Sequence, residues 1–300
     1  MDFLTALNQR VLVCDGAMGS VLYARGVFVN QSFEALNLRQ PELVTEVHAA
    51  YVRAGANFVE SNTFGANRVK LAGFDLVDEL VAINRAGVRL ARAAGARFVA
   101  GAMGPLGVRV GEKRGVSVET AAEVFDEQAS VLIEAGADVM LLETFSRVSE
   151  LRVAVETLRR RSALPIVAQV STADDGLTQD RLTPEECARL LTEVGATVVG
   201  VNCGEGPSAT LESVERMADA TTVPLSAQPN AGAAREVEGR RLSLSSPDFL
   251  ASYARRFVTE GVGIVGGCCG TGPEHIARIA EAVSGLAAPR TVEISADVSS

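Results

Sequence analysis

In Gly136-Ala137-Asp138-Val139-Met140-Leu141-Leu142-Glu143-Thr144 a glycine is followed by a short step, an unbroken apolar run and then an acid. Glycine takes the left-handed conformation that closes a helix, and a short apolar run bounded by turn signals reads as a buried strand. The stretch predicts a helix ending at Gly136, a strand over 139–142, and Glu143 delivered at the strand's C-terminal end. The same beat recurs at Gly55-Ala56-Asn57-Phe58, Gly95-Ala96-Arg97-Phe98, Gly195-Ala196-Thr197-Val198 and Gly261-Val262-Gly263-Ile264.

Apolar runs opened by other turns bring the candidate strands to eight: 11–14, 58–61, 98–102, 139–142, 166–170, 198–201, 225–227 and 264–266. Helical patterns lie between them, among them 41–54, 118–135, 147–161, 184–194, 247–260 and 273–283. Alternation of strand and helix implies a parallel sheet, and eight units without a break imply closure. The expected fold is α/β: a single (β/α)₈ TIM barrel over residues 1–289, with 290–300 as a polar tail or linker stub. A doubly wound open sheet is the alternative.

The chain has 300 residues and a formal net charge of −9, with no basic run beyond Arg159-Arg160-Arg161. That balance argues against nucleic acid or an anionic membrane as partner. No apolar stretch approaches the roughly 18 residues of a membrane span, and Met1-Asp2-Phe3-Leu4-Thr5 lacks the form of a secretory signal. The expected location is cytoplasmic, where the five cysteines read as thiols or metal ligands rather than disulfides.

Barrel enzymes draw their working residues from the C-terminal ends of strands. Those ends carry Asp15-Gly16-Ala17-Met18-Gly19, Asn62-Thr63-Phe64-Gly65, Gly104-Pro105, Glu143-Thr144, Ser171-Thr172, Cys203, Pro229-Asn230-Ala231-Gly232 and Cys268-Cys269. The sixth and eighth strands flank the seventh, so Cys203, Cys268 and Cys269 can meet above it, near Asn230. Three soft thiolates suit Zn²⁺ with an open fourth position. Such a site favours a thiol substrate, ionised near neutral pH while its sulfur keeps enough electron density to attack carbon. Asp15 and Glu143 can bind a substrate ammonium, and the N–H groups of the 16–19 loop a carboxylate. The implied ligand is an amino acid with a thiol.

Each residue also has a plainer reading. The cysteine pair can pack as small hydrophobes, Asp15 can cap a turn, and Glu143 can be a buried structural acid. His48 and His275 lack metal-ligand spacing and read as structural. Cys14 is expected to point away from the site, and Cys187 to sit in a helix, both as inert core thiols.

Asp15-Gly16-Ala17-Met18-Gly19, Ser61-Asn62-Thr63-Phe64-Gly65-Ala66-Asn67, Glu143-Thr144-Phe145, Val201-Asn202-Cys203, Gln228-Pro229-Asn230-Ala231-Gly232 and Gly266-Gly267-Cys268-Cys269-Gly270-Thr271 stand in the order found in one family. From about Val11 to Ile279 the chain resembles the homocysteine S-methyltransferase family, nearest its cobalamin-dependent methionine synthase and methylenetetrahydrofolate-reductase-fused branch. The resemblance implies one Zn²⁺ at the C-terminal face, held by Cys203, Cys268 and Cys269. Asn230 is implied as a labile further ligand that L-homocysteine displaces. Asp15 and Glu143 are implied to contact the amino group, and Gly16, Ala17 and Ser20 the carboxylate; Ser20 stands where many relatives have Thr.

The methyl donor is less legible. Betaine calls for an aromatic cage, whereas the chain has no Trp and only three Tyr. No Asp-x-His-x-x-Gly corrinoid motif is present, so cobalamin is not expected on this chain alone. A methylcorrinoid or methyltetrahydrofolate partner is the expected source, with self-sufficient use of S-methylmethionine as the alternative. Rival readings are a zinc-dependent homocysteine-binding or delivery subunit, and a redox switch through a Cys268–Cys269 disulfide.

Overall fold

The computed structural model describes residues 1–28, 30–204, 206–232, 235–237, 240–242 and 245–292. Its strands are β1 (Leu12–Val13), β2 (Phe58–Glu60), β3 (Phe98–Met103), β4 (Val139–Phe145), β5 (Ile166–Val170), β6 (Val198–Cys203), β7 (Leu225–Pro229), β8 (Arg235–Val237), β9 (Arg240–Leu242) and β10 (Val262–Val265). Eight form one sheet in the order β1-β10-β7-β6-β5-β4-β3-β2, with every pair parallel. The short β8–β9 pair is antiparallel and stands apart, inside the β7–β10 connection. A nearly closed α/β barrel results.

Side chains join the two edges. The Asn57 N–H donates to the Val13 carbonyl at 2.7 Å, and the Val13 N–H donates to Asn57 Oδ1 at 2.9 Å. One residue past Cys14, both Asp15 oxygens accept the Glu60 N–H at 3.2 Å. Asp15 therefore closes the barrel as well as standing at its mouth.

The five glycines of the repeated beat all adopt positive φ, from +88° at Gly95 to +100° at Gly55. At Gly136 the N–H bonds back to Ile133 O at 3.0 Å and the next N–H, of Ala137, to Leu132 O at 3.1 Å. This is a Schellman closure, which satisfies two carbonyls at the helix end and turns the chain into β4. A Cβ on Gly136 would meet nothing within 4 Å, so its cost is conformational alone. Gly136→Ala is expected to lose about 1–2 kcal/mol, measurable as a lower urea midpoint; an unchanged midpoint would contradict this.

Strand alternation sorts the barrel interior by height. Leu12, Phe58, Phe98, Val139, Val167, Val198 and Ile264 form an apolar plug with Phe3 of the N-terminal helix Phe3–Gln9. Phe3 packs edge-on against Phe58 and Phe98. The next inward positions toward the mouth include Cys14, Glu60, Gln169 and Ser226, and above them come Glu143, Asn202 and Gln228. The interior thus changes from hydrocarbon to hydrogen-bonding groups toward the C-terminal face.

At the opposite end, Arg290 donates to the Thr221 carbonyl at 2.6 Å and the Ala218 carbonyl at 2.9 Å. Asn8 exchanges two bonds with the Val292 backbone. The remainder of the tail, 293–300, lies outside the described residues. Among the described residues no helix is long and apolar enough to cross a membrane.

Candidate metal and substrate site

Cys203 ends β6, whereas Cys268 and Cys269 follow β10 in a turn. The Cys268 N–H donates to Pro229 O at 2.9 Å, and the Cys269 carbonyl accepts from the Ala231 N–H at 2.9 Å. This departure from strand geometry lets neighbouring side chains converge instead of pointing to opposite faces. Gly267 is needed for it: a Cβ there would lie 2.3 Å from Thr271 Oγ1, and that hydroxyl bonds the Cys268 carbonyl at 2.6 Å.

The three sulfurs lie within 4.8 Å of one another. Tetrahedral Zn²⁺ with Zn–S of about 2.3 Å sets sulfurs roughly 3.8 Å apart, so the residues fit the ion. Hydrogen bonds from Cys268 and then Cys269 hold the Cys203 thiol down at about 3. Contact with Cys203 pushes Cys268 well up, and Cys269 rises to about 11. A thiol whose ionisation its neighbours favour, set beside two further sulfurs, makes a cation-seeking group. Cys269 is exposed, so the cluster opens to solvent.

Two residues at the mouth are held in the left-handed region without being glycine: Thr144 at φ +62° and Cys203 at +60°. Asn202 secures the first. The Thr144 N–H donates to Asn202 Oδ1 at 2.7 Å, and Asn202 Nδ2 donates to Thr144 Oγ1 at 2.7 Å. Asn202 Nδ2 also faces Cys268 Sγ at 3.7 Å. One amide thus links the Glu143 turn to the thiol cluster, with backbone strain of a kind concentrated at functional sites. Asn202 stands in the Val201-Asn202-Cys203 motif, but its role emerges only from these contacts.

Opposite the thiols, three carboxyls meet. Asp15 is 2% exposed and Glu143 9%. Burial first, and the Glu60 charge second, push both well above the ordinary carboxyl range. Glu60, also raised by burial, accepts from Gln228 Nε2 at 2.7 Å, and Gln169 Nε2 donates to Gln228 Oε1 at 2.6 Å. Glu60 is not among the expected site residues, although its spacing of two from Phe58 on β2 marks it as inward-facing. Cys14 departs from expectation: its thiol faces the interior and donates to Asp15 Oδ1 at 3.3 Å, because Cys14 shares the inward phase of Leu12.

A raised folded-state pKa contributes stability that is complete below the unfolded carboxyl value, about 4, and is lost as pH rises through the folded value. Glu143→Gln removes that dependence. In metal-free and substrate-free protein, the variant's stability relative to wild type is expected to grow from about pH 4 toward neutrality, read by urea unfolding. A difference that stays flat or shrinks would contradict it.

Near the proposed carboxylate subsite, the Ala17 N–H donates to the Thr271 carbonyl at 3.1 Å, and Ser20 Oγ accepts from the Gly270 N–H at 3.1 Å. The 16–20 loop and the cysteine turn are therefore fastened to each other. Gly16 approaches Thr271 closely, since a Cβ would lie 2.6 Å from its hydroxyl oxygen. The helix that follows, Met18–Ala24, has no side-chain cap. Tyr51 braces this corner, its hydroxyl lying 2.9 Å from the Ala17 carbonyl and 3.0 Å from that of Thr271, with one proton to share between them.

Asn230 lies beside Cys203, its N–H bonding the Cys203 carbonyl at 3.3 Å. Its side-chain amide donates to the Gly204 carbonyl, and Oδ1 accepts from the Gly232 N–H at 2.8 Å. The Asn62-Thr63 pair serves architecture: Asn62 bonds Phe33 O and Asn37, and Thr63 bonds Ala102 O. His275 also serves structure, accepting from the Gly272 N–H at 3.1 Å and meeting Ser245 O at 3.1 Å. Among the described residues, buried His48 has no hydrogen-bond partner at either nitrogen.

Together, fold and site define an α/β-barrel protein with a thiol cluster and buried acids at the C-terminal mouth. The family profile described as homocysteine S-methyltransferase matches residues 12–283. The chain belongs to the homocysteine S-methyltransferase family, a methyltransferase family. It is 33% identical to the methionine synthase of Mycobacterium tuberculosis (strain ATCC 25618 / H37Rv), an alignment that takes in 100% of this chain and 27% of that protein. It spans about a quarter of such relatives. Among solved structures it resembles the homocysteine methyltransferase MmuM from Escherichia coli in an oxidised form, at TM-score 0.78 and 27% identity, covering 92% of this chain and 97% of that one. The metallated form of MmuM matches at TM-score 0.77 and 26% identity, covering 92% and 98%.

Proposed function

We propose that this chain transfers a methyl group to the thiol of L-homocysteine to give methionine, with one Zn²⁺ held by Cys203, Cys268 and Cys269. The observation that carries the reading is the convergence of these sulfurs at the mouth that also holds buried Asp15 and Glu143. Zn²⁺ bound there would lower the pKa of a substrate thiol and keep it a nucleophilic thiolate near neutral pH.

The protein's own groups orient the substrate. Asp15 and Glu143 receive the ammonium, while backbone at Gly16 and Ala17, with Ser20, lines the side on which the carboxylate lies. Asn202 fixes the Glu143 turn relative to the thiol cluster. Asn230 acts as the displaceable ligand, which requires its Oδ1 to exchange the Gly232 N–H for the ion. In the transfer a sulfur–carbon bond forms, the donor–methyl bond breaks, and the thiol proton leaves.

Identity to methionine synthases favours a methyl group presented by a methylcorrinoid protein or drawn from methyltetrahydrofolate. The experiment is turnover by the zinc-loaded chain with S-methylmethionine alone, and separately with a methylcorrinoid protein. Methionine only in the second assay is expected. Turnover with S-methylmethionine alone would instead establish a self-sufficient enzyme, and homocysteine binding with neither turnover a delivery subunit.

A further inference from the structure

We infer that Glu60 is a third acceptor for the substrate ammonium, beside Asp15 and Glu143, and so helps the site select an amino acid over a simple thiol. The inference rests on the homocysteine reading above. Glu60 ends β2 and shares the inward phase of Phe58. Its backbone N–H binds both oxygens of Asp15 at 3.2 Å, which fixes one carboxyl relative to the other. The ligand atoms of Cys14, Asp15 and Glu60 fall within 4.8 Å of one another, and the Glu60 and Glu143 carboxyls are in hydrogen-bond contact.

An amide chain sets which way Glu60 faces the donors. Gln169 Nε2 donates to Gln228 Oε1 at 2.6 Å, so Gln228 turns its nitrogen to Glu60 and donates to Oε1 at 2.7 Å. Cys14 Sγ also faces Oε1, at 3.5 Å. Both of these neighbours reach the same oxygen, Oε1.

Charge points the same way. Among the described residues no Lys or Arg forms an ion pair with any of the three acids. The Lys70 ammonium lies over the Phe64 ring, 4.2 Å from its centroid, and feels the Glu143 charge, with those of Glu34 and Glu150, without pairing to it. Among the described residues the cluster forms no ion pair with a protein cation, so a ligand ammonium can supply one, and its three N–H donors match three carboxyls.

The test is calorimetric titration of the zinc-loaded full chain with L-homocysteine and with 4-mercaptobutanoate, which keeps the thiol and carboxylate but lacks the amine. Glu60→Gln is expected to weaken homocysteine about 10- to 100-fold while changing 4-mercaptobutanoate by less than about threefold, in keeping with loss of a hydrogen bond to a charged group. Equal weakening of both thiols would mean that Glu60 merely braces its neighbours, and unchanged homocysteine affinity that it makes no contact; either overturns the inference. If the Gln variant does not fold, Glu60→Asp withdraws the carboxyl by one methylene. A smaller loss confined to homocysteine is then expected, and a parallel loss overturns the inference. Wild type that binds neither thiol would overturn the homocysteine reading together with this one.

Discussion

Cys203→Ala is expected to abolish stoichiometric zinc binding and to lower methyl transfer by about 10³-fold while leaving the fold intact. A free thiol of pKa about 8.5 is only a few per cent ionised near neutral pH, which accounts for roughly 30-fold. Loss of orientation at the reacting sulfur contributes about 10² more. Cys268→Ala and Cys269→Ala are expected to behave alike, because two thiolates are too few to hold the ion tightly. Removal of a partly exposed side chain at or beyond a strand end changes stability little, within about 1 kcal/mol. Zinc analysis, circular dichroism and turnover check all three variants. Retained zinc with full activity in any one would exclude a three-thiolate site.

Asp15→Asn and Glu143→Gln act on a different part of the site. Each is expected to weaken homocysteine by about 10- to 100-fold, as for a charge-assisted hydrogen bond of about 1.5–3 kcal/mol, with zinc content unchanged. Asp15→Asn should also lower stability, because Asp15 accepts the Glu60 N–H across the β1–β2 edge. Glu143→Gln lacks that second role. Its loss of homocysteine affinity with no loss of zinc separates substrate contact from metal support, and simultaneous loss of zinc would assign Glu143 to the thiol cluster instead.

The helix-closing glycines made the barrel legible. Gly55, Gly95, Gly136, Gly195 and Gly261 each mark an αβ junction, and all have the positive φ their positions require. Strand ends then exposed the cysteines and Glu143, since polar residues after apolar runs stand out. Less legible were residues whose roles depend on contacts distant in sequence. Glu60 falls within the strand expected over 58–61 rather than after it, and its partners Gln228 and Asp15 give it meaning. Asn202 precedes Cys203, yet its work is on Thr144, 58 positions away. Cys14 shares the inward phase of Leu12, and the adjacent Asp15 turns its carboxyl to the Glu60 N–H across the β1–β2 edge, a contact that alternation alone does not reveal.

The most direct measurement is zinc content of anaerobically purified protein with zinc-edge X-ray absorption, recorded with and without L-homocysteine. One equivalent of zinc is expected, with three sulfur neighbours from Cys203, Cys268 and Cys269 that become four when homocysteine is added. Protein that takes up no zinc, or a zinc shell that homocysteine leaves unchanged, would contradict thiol activation at this site.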